Sequence, residues 1–189
     1  MKIKFNQIQD LNDARYASSA LSEWVGFTLN QLPISKVQEI IGWCAGPKLA
    51  IELTEIELLD TAISWCTILP VNTLECKAES FSFWIQNIPN AQNYEWIVNS
   101  HDLHHLNTDN FKEIPSVYFH FLPQSLEQVT PEIIKTPNLI INISNFQSNT
   151  SILASLSPEL ISIDCVPETT LGEKNFELTT ELFEALDIF

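Results

Sequence analysis

The densest group of side chains able to do chemistry is His101-Asp102-Leu103-His104-His105. Residues four apart share a face of a helix. If Asp102 begins a helix, His101 and His105 present two imidazoles together. That arrangement chelates zinc or another borderline metal, with Asp102 or His120 as a further ligand. The competing reading is a solvated turn capped by Asp102, its histidines exposed. A second group is spread along the chain. Glu52, Glu75, Lys77, Asp164 and Glu168 fall near the ends of candidate strands. They line either a pocket for a small neutral or cationic ligand or a wet rim, and one residue of register decides which. The sequence holds no phosphate-binding loop, dinucleotide fingerprint, nucleophile elbow or H-E-x-x-H motif.

Charge narrows the partners. The formal net charge is −15, which disfavours nucleic acid, anionic membranes and polyanionic substrates. The sole arginine, Arg15, leaves little for a bidentate grip on phosphate or carboxylate. Cys44, Cys66, Cys76 and Cys165 form no C-x-x-C pair; they read as reduced, mostly buried thiols, with no cofactor expected. The opening residues turn polar too soon for a secretory leader, and no run approaches the ~18 apolar residues that cross a bilayer. A cytoplasmic protein is expected.

The elements that must position these groups recur with a period. Strand-like runs fall at residues 3–8, 24–29, 48–53, 73–78, 95–99, 117–122, 139–144 and 160–166. The step is about 22 residues, close to the minimum for a parallel crossover. Between them lie helix-compatible segments at 11–21, 35–43, 55–63, 80–88, 102–111, 126–135 and 150–156, and a last one at 176–186. Asp10 or Asn12 caps the first, and Ser35 caps the second, which ends at Gly42. Residues 142–149 read as a polar loop. Trp43, Trp65, Phe81, Phe83, Trp84 and Trp96 are expected to pack helices on strands. The fold expected is α/β: a small (β/α)8 TIM-type barrel with short or partly missing helices, one domain over 1–189, with an open doubly wound sheet as the alternative. The fourth strand is ambiguous, because residues 67–71 also read as strand.

Two stretches carry a family resemblance. Asp10-Leu-Asn-Asp-Ala-Arg-Tyr-Ala17 followed by Trp24-Val-Gly-Phe27 resembles the start of phosphoribosylanthranilate isomerase, the tryptophan-biosynthesis barrel. Ile161-Ser-Ile-Asp-Cys-Val-Pro-Glu168 and Thr170-Leu-Gly-Glu-Lys174 look like its eighth strand and following loop. Leu74-Glu-Cys-Lys-Ala-Glu79 is faintly similar to its fourth strand. The resemblance implies an Amadori rearrangement of a phosphorylated aminosugar, in which an acid opens the ring and a base takes a proton from the adjacent carbon. The family's base, a cysteine ending strand one, falls at Asn6, and an amide is no general base. Its acid, an aspartate, belongs to strand six, which here offers only His120. The glycines that let backbone amides approach phosphate fall at Ile143-Ser144 and Cys165-Val166, where the Ile143 and Val166 side chains are expected to crowd an anion. The arginine that holds the anthranilate carboxylate falls near Leu32. Gly172 and Lys174 are retained.

Loss of base, acid, phosphate seat and carboxylate clamp together implies a diverged barrel without the isomerase activity, a pseudoenzyme that binds an unknown small molecule or a protein partner, itself included as a homodimer. The ligand-contact candidates are Lys77, Ser144, Asp164, Cys165, Gly172 and Lys174. The alternative is an enzyme: the isomerase working through His120, Asp164 or Cys165, or a metal-dependent one using His101, His104 and His105. A deep polar cleft between Asn6, His120 and Cys165 favours the enzyme. A mouth filled by Phe119, Phe121, Ile143 or Val166 favours the pseudoenzyme.

Overall fold

Successive strand residues point to opposite faces, and this alternation sorts the chain into two layers. The computed structural model describes residues 1–103, 111, 114–146, 149–165 and 176–186. Its strands are β1 (Lys2–Asn6), β2 (Trp24–Thr28), β3 (Lys48–Leu53), β4 (Val71–Lys77), β5 (Glu95–Ser100), β6 (Val117–Phe121), β7 (Leu139–Asn142) and β8 (Leu160–Asp164). All neighbours pair in parallel, and β1 pairs with β8 through Lys2↔Leu160 to Asn6↔Asp164. The ring is therefore a closed barrel, and the open sheet is excluded. The fourth strand is Val71–Lys77; Thr67 and Ile68 finish the preceding helix instead.

The described helices are α1 (Leu11–Ser19), α2 (Ile34–Ile41), α3 (Leu59–Ile68), α4 (Phe81–Asn87), α5 (Pro131–Ile134), α6 (Thr150–Leu156) and α7 (Glu177–Ala185). They are short, as the period requires. Asp10 caps α1, its carboxylate accepting from the amides of Asn12 at 2.7 Å and Asp13 at 3.1 Å. Ser35 does not cap α2; Pro33 precedes that helix, which has no side-chain cap. The expected helix at 102–111 falls largely outside the described residues, and Asp102 lies in none.

Outward-facing strand residues such as Phe5, Val25, Ile51, Val98, Phe121, Ile141 and Ile163 pack with helix residues into the main core. Trp65, Phe81, Trp84 and Trp96 join them, as expected, whereas Trp43 is 63% exposed beside the Arg15 guanidinium. Inward-facing Trp24, Ala50, Ile97, Ile140 and Leu160 form a second cluster with Tyr118, filling the barrel's waist. This is the packed interior that an eight-stranded barrel demands. Its N-terminal end is closed by polar contacts. Trp24 Nε1 donates to Thr73 Oγ1 at 3.1 Å, and Lys48 Nζ lies 2.8 Å from Glu95 and 3.0 Å from Glu23. All four cysteines are free thiols, with Cys76 and Cys165 buried. Among the described residues no helix is long and apolar enough to cross a membrane.

Candidate functional site

Above the apolar waist, the inward positions turn polar. Lys4 of β1, Glu75 of β4, His120 of β6 and Ser162 of β8 share one buried layer. Lys4 Nζ lies 2.6 Å from Glu75 Oε2 and also donates to Asn6 Oδ1. Glu75 Oε1 is 2.7 Å from His120 Nδ1, and His120 Nε2 is 2.6 Å from Ser162 Oγ. Asn99 Oδ1 stands 3.0 Å from the same Nδ1. Burial alone would raise the Glu75 pKa; the Lys4 ammonium and the His120 contact outweigh it and hold the carboxyl at about 2.

One step closer to solvent, Asn6 Nδ2 donates to Asp164 Oδ1 at 2.7 Å, and Asn142 Nδ2 donates to the same oxygen at 3.0 Å. Across the mouth, Thr28 Oγ1 donates to Glu52 Oε2 at 2.8 Å. Burial, then the nearby Glu75 charge, raise the Glu52 pKa against the weaker opposing pulls of Thr28, Lys4 and His120. These groups surround a cleft of about 140 Å³, lined by Lys4, Asn6, Glu52, Glu75, His120 and Asp164 among others. It opens at the C-terminal ends of the strands, where barrels place their sites. One ammonium faces three carboxyl groups there.

Gly26 keeps the cleft open beside the lysine. A Cβ at that position would stand 3.2 Å from the Phe5 carbonyl oxygen and 3.5 Å from Lys4 Nζ. Its neighbours on alternate positions, Trp24 and Thr28, carry full side chains because they lie below and above the lysine.

At the ends of β7 and β8, the amides of Ile143, Ser144, Asp164 and Cys165 are engaged within the chain. Ile143 N donates to Ser162 O at 3.0 Å, and Ser144 N to Asn142 Oδ1 at 3.0 Å. Asp164 N donates to Ser144 Oγ at 2.7 Å, and Cys165 N to Asn6 O at 2.9 Å. An anion arriving at these four amides finds each already donating to a carbonyl, carboxamide or hydroxyl oxygen of the chain.

Asn6, His120 and Asp164 converge on the cleft, and so do Glu52 and Glu75. Ser144 does not line it but braces the Asp164 backbone. Lys77, the last residue of β4, is exposed and does not line it. Cys165 has the opposite parity to Asp164 and is buried in the helix-facing core. Ile143 does not crowd the mouth, because its side chain sits in that same core, with Phe119 and Phe121. Among the described residues the lining of the mouth is therefore mostly polar. Gly172, Lys174, Glu168 and Val166 lie outside the described residues, as do His104 and His105. His101 is exposed, and its Nδ1 contacts the Leu122 carbonyl at 2.8 Å. No group of three or more metal-ligating side chains occurs among the described residues.

Lys4, Asn99, Asn142, Ser162 and Thr28 were not legible as site residues. The signal for Lys4 was present: it shares the parity of Asn6, so whatever turns one inward turns the other. Asn142 ends a strand and does not begin a loop.

Fold and cleft together define a closed, parallel (β/α)8 barrel with a polar site at its C-terminal mouth. Among solved structures, this fold is similar to that of N-(5'-phosphoribosyl)anthranilate isomerase from Pyrococcus furiosus, with TM-score 0.66, 13% identity and 100% of each chain covered. Phosphoribosyl anthranilate isomerase from Thermus thermophilus matches with TM-score 0.70 and 16% identity, over 99% of this chain and 98% of that one. The 3-hexulose-6-phosphate synthase of Salmonella typhimurium matches with TM-score 0.67 and 9% identity over 98% of each. The resemblance read from the two ends of the sequence thus holds for the fold of the whole chain. No family model matches the sequence, and no curated protein matches it.

Proposed function

We propose that this barrel binds a small, unphosphorylated polar molecule at its mouth and does not isomerise phosphoribosylanthranilate. The observation that carries this reading is the engagement of the amides of Ile143, Ser144, Asp164 and Cys165 by acceptors of the chain itself. A phosphate seat in a barrel is made of backbone N–H groups free to point at the ligand. Freeing even one of these amides leaves a carbonyl, carboxamide or hydroxyl oxygen without its donor, which costs about 1–3 kcal/mol where the group is buried. The ammonium of the cleft, Lys4, is already paired with Glu75, which leaves little positive charge there to hold a dianion. The proton-transfer groups are also rearranged: Asn6 stands at the base position, donating to Asp164 through Nδ2.

What the cleft does offer is acceptors and amides at hydrogen-bonding depth, which suits ligand hydroxyl or amine donors. The test is an assay of purified protein with phosphoribosylanthranilate, run beside a titration with inorganic phosphate. The reading expects the uncatalysed rate and no saturable phosphate binding. Turnover well above that rate, lost on changing Asn6 or Asp164, rejects it.

A further inference from the structure

The titratable groups lining the cleft differ in how many of their polar atoms the protein already uses. Both Glu75 oxygens are engaged, one by Lys4 and one by His120. Both nitrogens of His120 are engaged, by Glu75 and Asn99 on one side and by Ser162 on the other. Neither residue can exchange a proton with a ligand without breaking a buried contact. Two carboxyl groups are different. Asp164 accepts both of its side-chain hydrogen bonds on Oδ1, and Glu52 accepts from Thr28 on Oε2. Among the described residues, Asp164 Oδ2 and Glu52 Oε1 have no hydrogen-bond partner. The strand order β8-β1-β2-β3 puts these two carboxyl groups three strands apart in a ring of eight, on facing walls of one cleft.

We infer that Asp164 and Glu52 act as base and acid on a small, uncharged hydroxy-carbonyl compound held between them, moving a proton bound to the carbon beside the carbonyl. The inference rests on the binding reading above and adds a reaction to it. Asp164 Oδ2 takes the carbon-bound proton, and the C–H electron pair becomes the carbon–carbon double bond. The carbonyl oxygen takes the proton from Glu52 Oε1, giving an enediol. Asp164 then returns its proton to the former carbonyl carbon while Glu52 recovers one from the other hydroxyl. Both groups end as they began, the product is the isomeric hydroxy-carbonyl compound, and no oxidant or reductant is needed.

Three further features fit. Burial and the fixed negative charge of Glu75 favour the protonated form of Glu52, and Thr28 donating to Oε2 directs that proton to Oε1. Asn6 and Asn142 fix the Asp164 carboxylate in orientation, as a base aimed at one atom requires. The size fits as well: a cavity of about 150 Å³ takes a molecule of six heavy atoms such as benzene, and this cleft is about 140 Å³. A three-carbon hydroxy-carbonyl compound has six heavy atoms. With the amides of Ile143, Ser144, Asp164 and Cys165 already engaged, it enters unphosphorylated on the binding reading above.

Full-length protein is incubated with dihydroxyacetone or glyceraldehyde in deuterated buffer, and proton NMR follows loss of the carbon-bound proton signal. Saturation transfer on the same samples reports binding separately. Exchange is expected at least tenfold above a protein-free blank, falling roughly a hundredfold or to the blank in Glu52→Gln and in Asp164→Asn, and unchanged in Lys77→Ala. Glu52→Gln keeps an acceptor for Thr28, so it separates chemistry from folding. Binding with exchange at the blank rate overturns the acid–base pair and leaves the binding reading standing. Exchange that survives in both variants also overturns the pair. Absence of binding removes both.

Discussion

Replacing Glu75 by glutamine removes one charge from the most buried polar layer of the barrel, and the cost can be worked from its contacts. Glu75 is 3% exposed, and its oxygens meet Lys4 Nζ at 2.6 Å and His120 Nδ1 at 2.7 Å. Lys4 is 1% exposed, so the substitution leaves its ammonium without a counter-charge in the layer, with only neutral oxygens, the new carboxamide and Asn6 Oδ1, to accept from it. Breaking a buried pair from one side costs about 3–5 kcal/mol. For a domain of this size, each kcal/mol moves Tm by roughly 2–4 °C, giving a drop of about 6–20 °C. The pH dependence gives an independent estimate. The Glu75 carboxyl is held at about 2 against an ordinary 4.5, worth about 3 kcal/mol at 1.36 kcal/mol per unit. Because the folded-state value is depressed, this stabilisation is complete above about pH 4.5 and drains away as pH falls toward 2. Urea unfolding of the native protein and of Glu75→Gln, repeated across that window, measures both. The variant should lose several kcal/mol at neutral pH and show a flatter acid limb. Pairing Glu75→Leu with Lys4→Met should recover much of the loss, since an apolar pair of like volume replaces a buried ion pair at little or no cost. A loss under about 1 kcal/mol for Glu75→Gln, at the level of a solvated surface pair, refutes the buried layer.

Other substitutions probe separate contacts. Asp10→Ala should cost about 1 kcal/mol in urea unfolding, because two amides at the start of α1 lose their acceptor. Gly26→Ala should cost about 1–3 kcal/mol and weaken any ligand bound at the mouth, since the added methyl presses on the Phe5 carbonyl and approaches Lys4 Nζ. Cys76 should resist alkylation in the folded protein and react on unfolding, as peptide mass mapping will show, because burial pushes its thiol far up and leaves no thiolate.

The barrel was legible in the sequence because its period is set by covalent geometry: a strand and a returning crossover fit into about 22 residues in only one compact way. All eight strands appear near the expected places. The end of α3 was harder, because Ile68, Leu69 and Val71 are apolar and β-branched or leucine in a run that suits either element, and only the pairing of β4 with β3 through Leu49↔Val71 decides it. The site was half legible. Asn6, His120, Asp164, Glu52 and Glu75 belong to the cleft, since polar residues near strand ends are what a barrel mouth collects. Cys165 and Ile143 were misplaced by a single residue of parity, which exchanges the inside of the barrel for its outside. Lys77 was misplaced for another reason: it shares the parity of Glu75 but lies past the point where the barrel wall encloses a side chain. Of the amide partners at the ends of β7 and β8, only the contact of Ser144 with Asn142 is local; the others could not be read, because they join residues distant in sequence, such as Asn6 with Cys165.

Amide chemical shifts titrated with inorganic phosphate test the central claim most directly, which is that the strand ends where barrels seat anions are already occupied by the chain's own acceptors. The signals of Ile143, Ser144, Asp164 and Cys165 should stay in place while phosphate is added, apart from the uniform drift of ionic strength. Saturable movement of the Ser144 and Ile143 signals, with Asn142 released from its contact, would contradict the account.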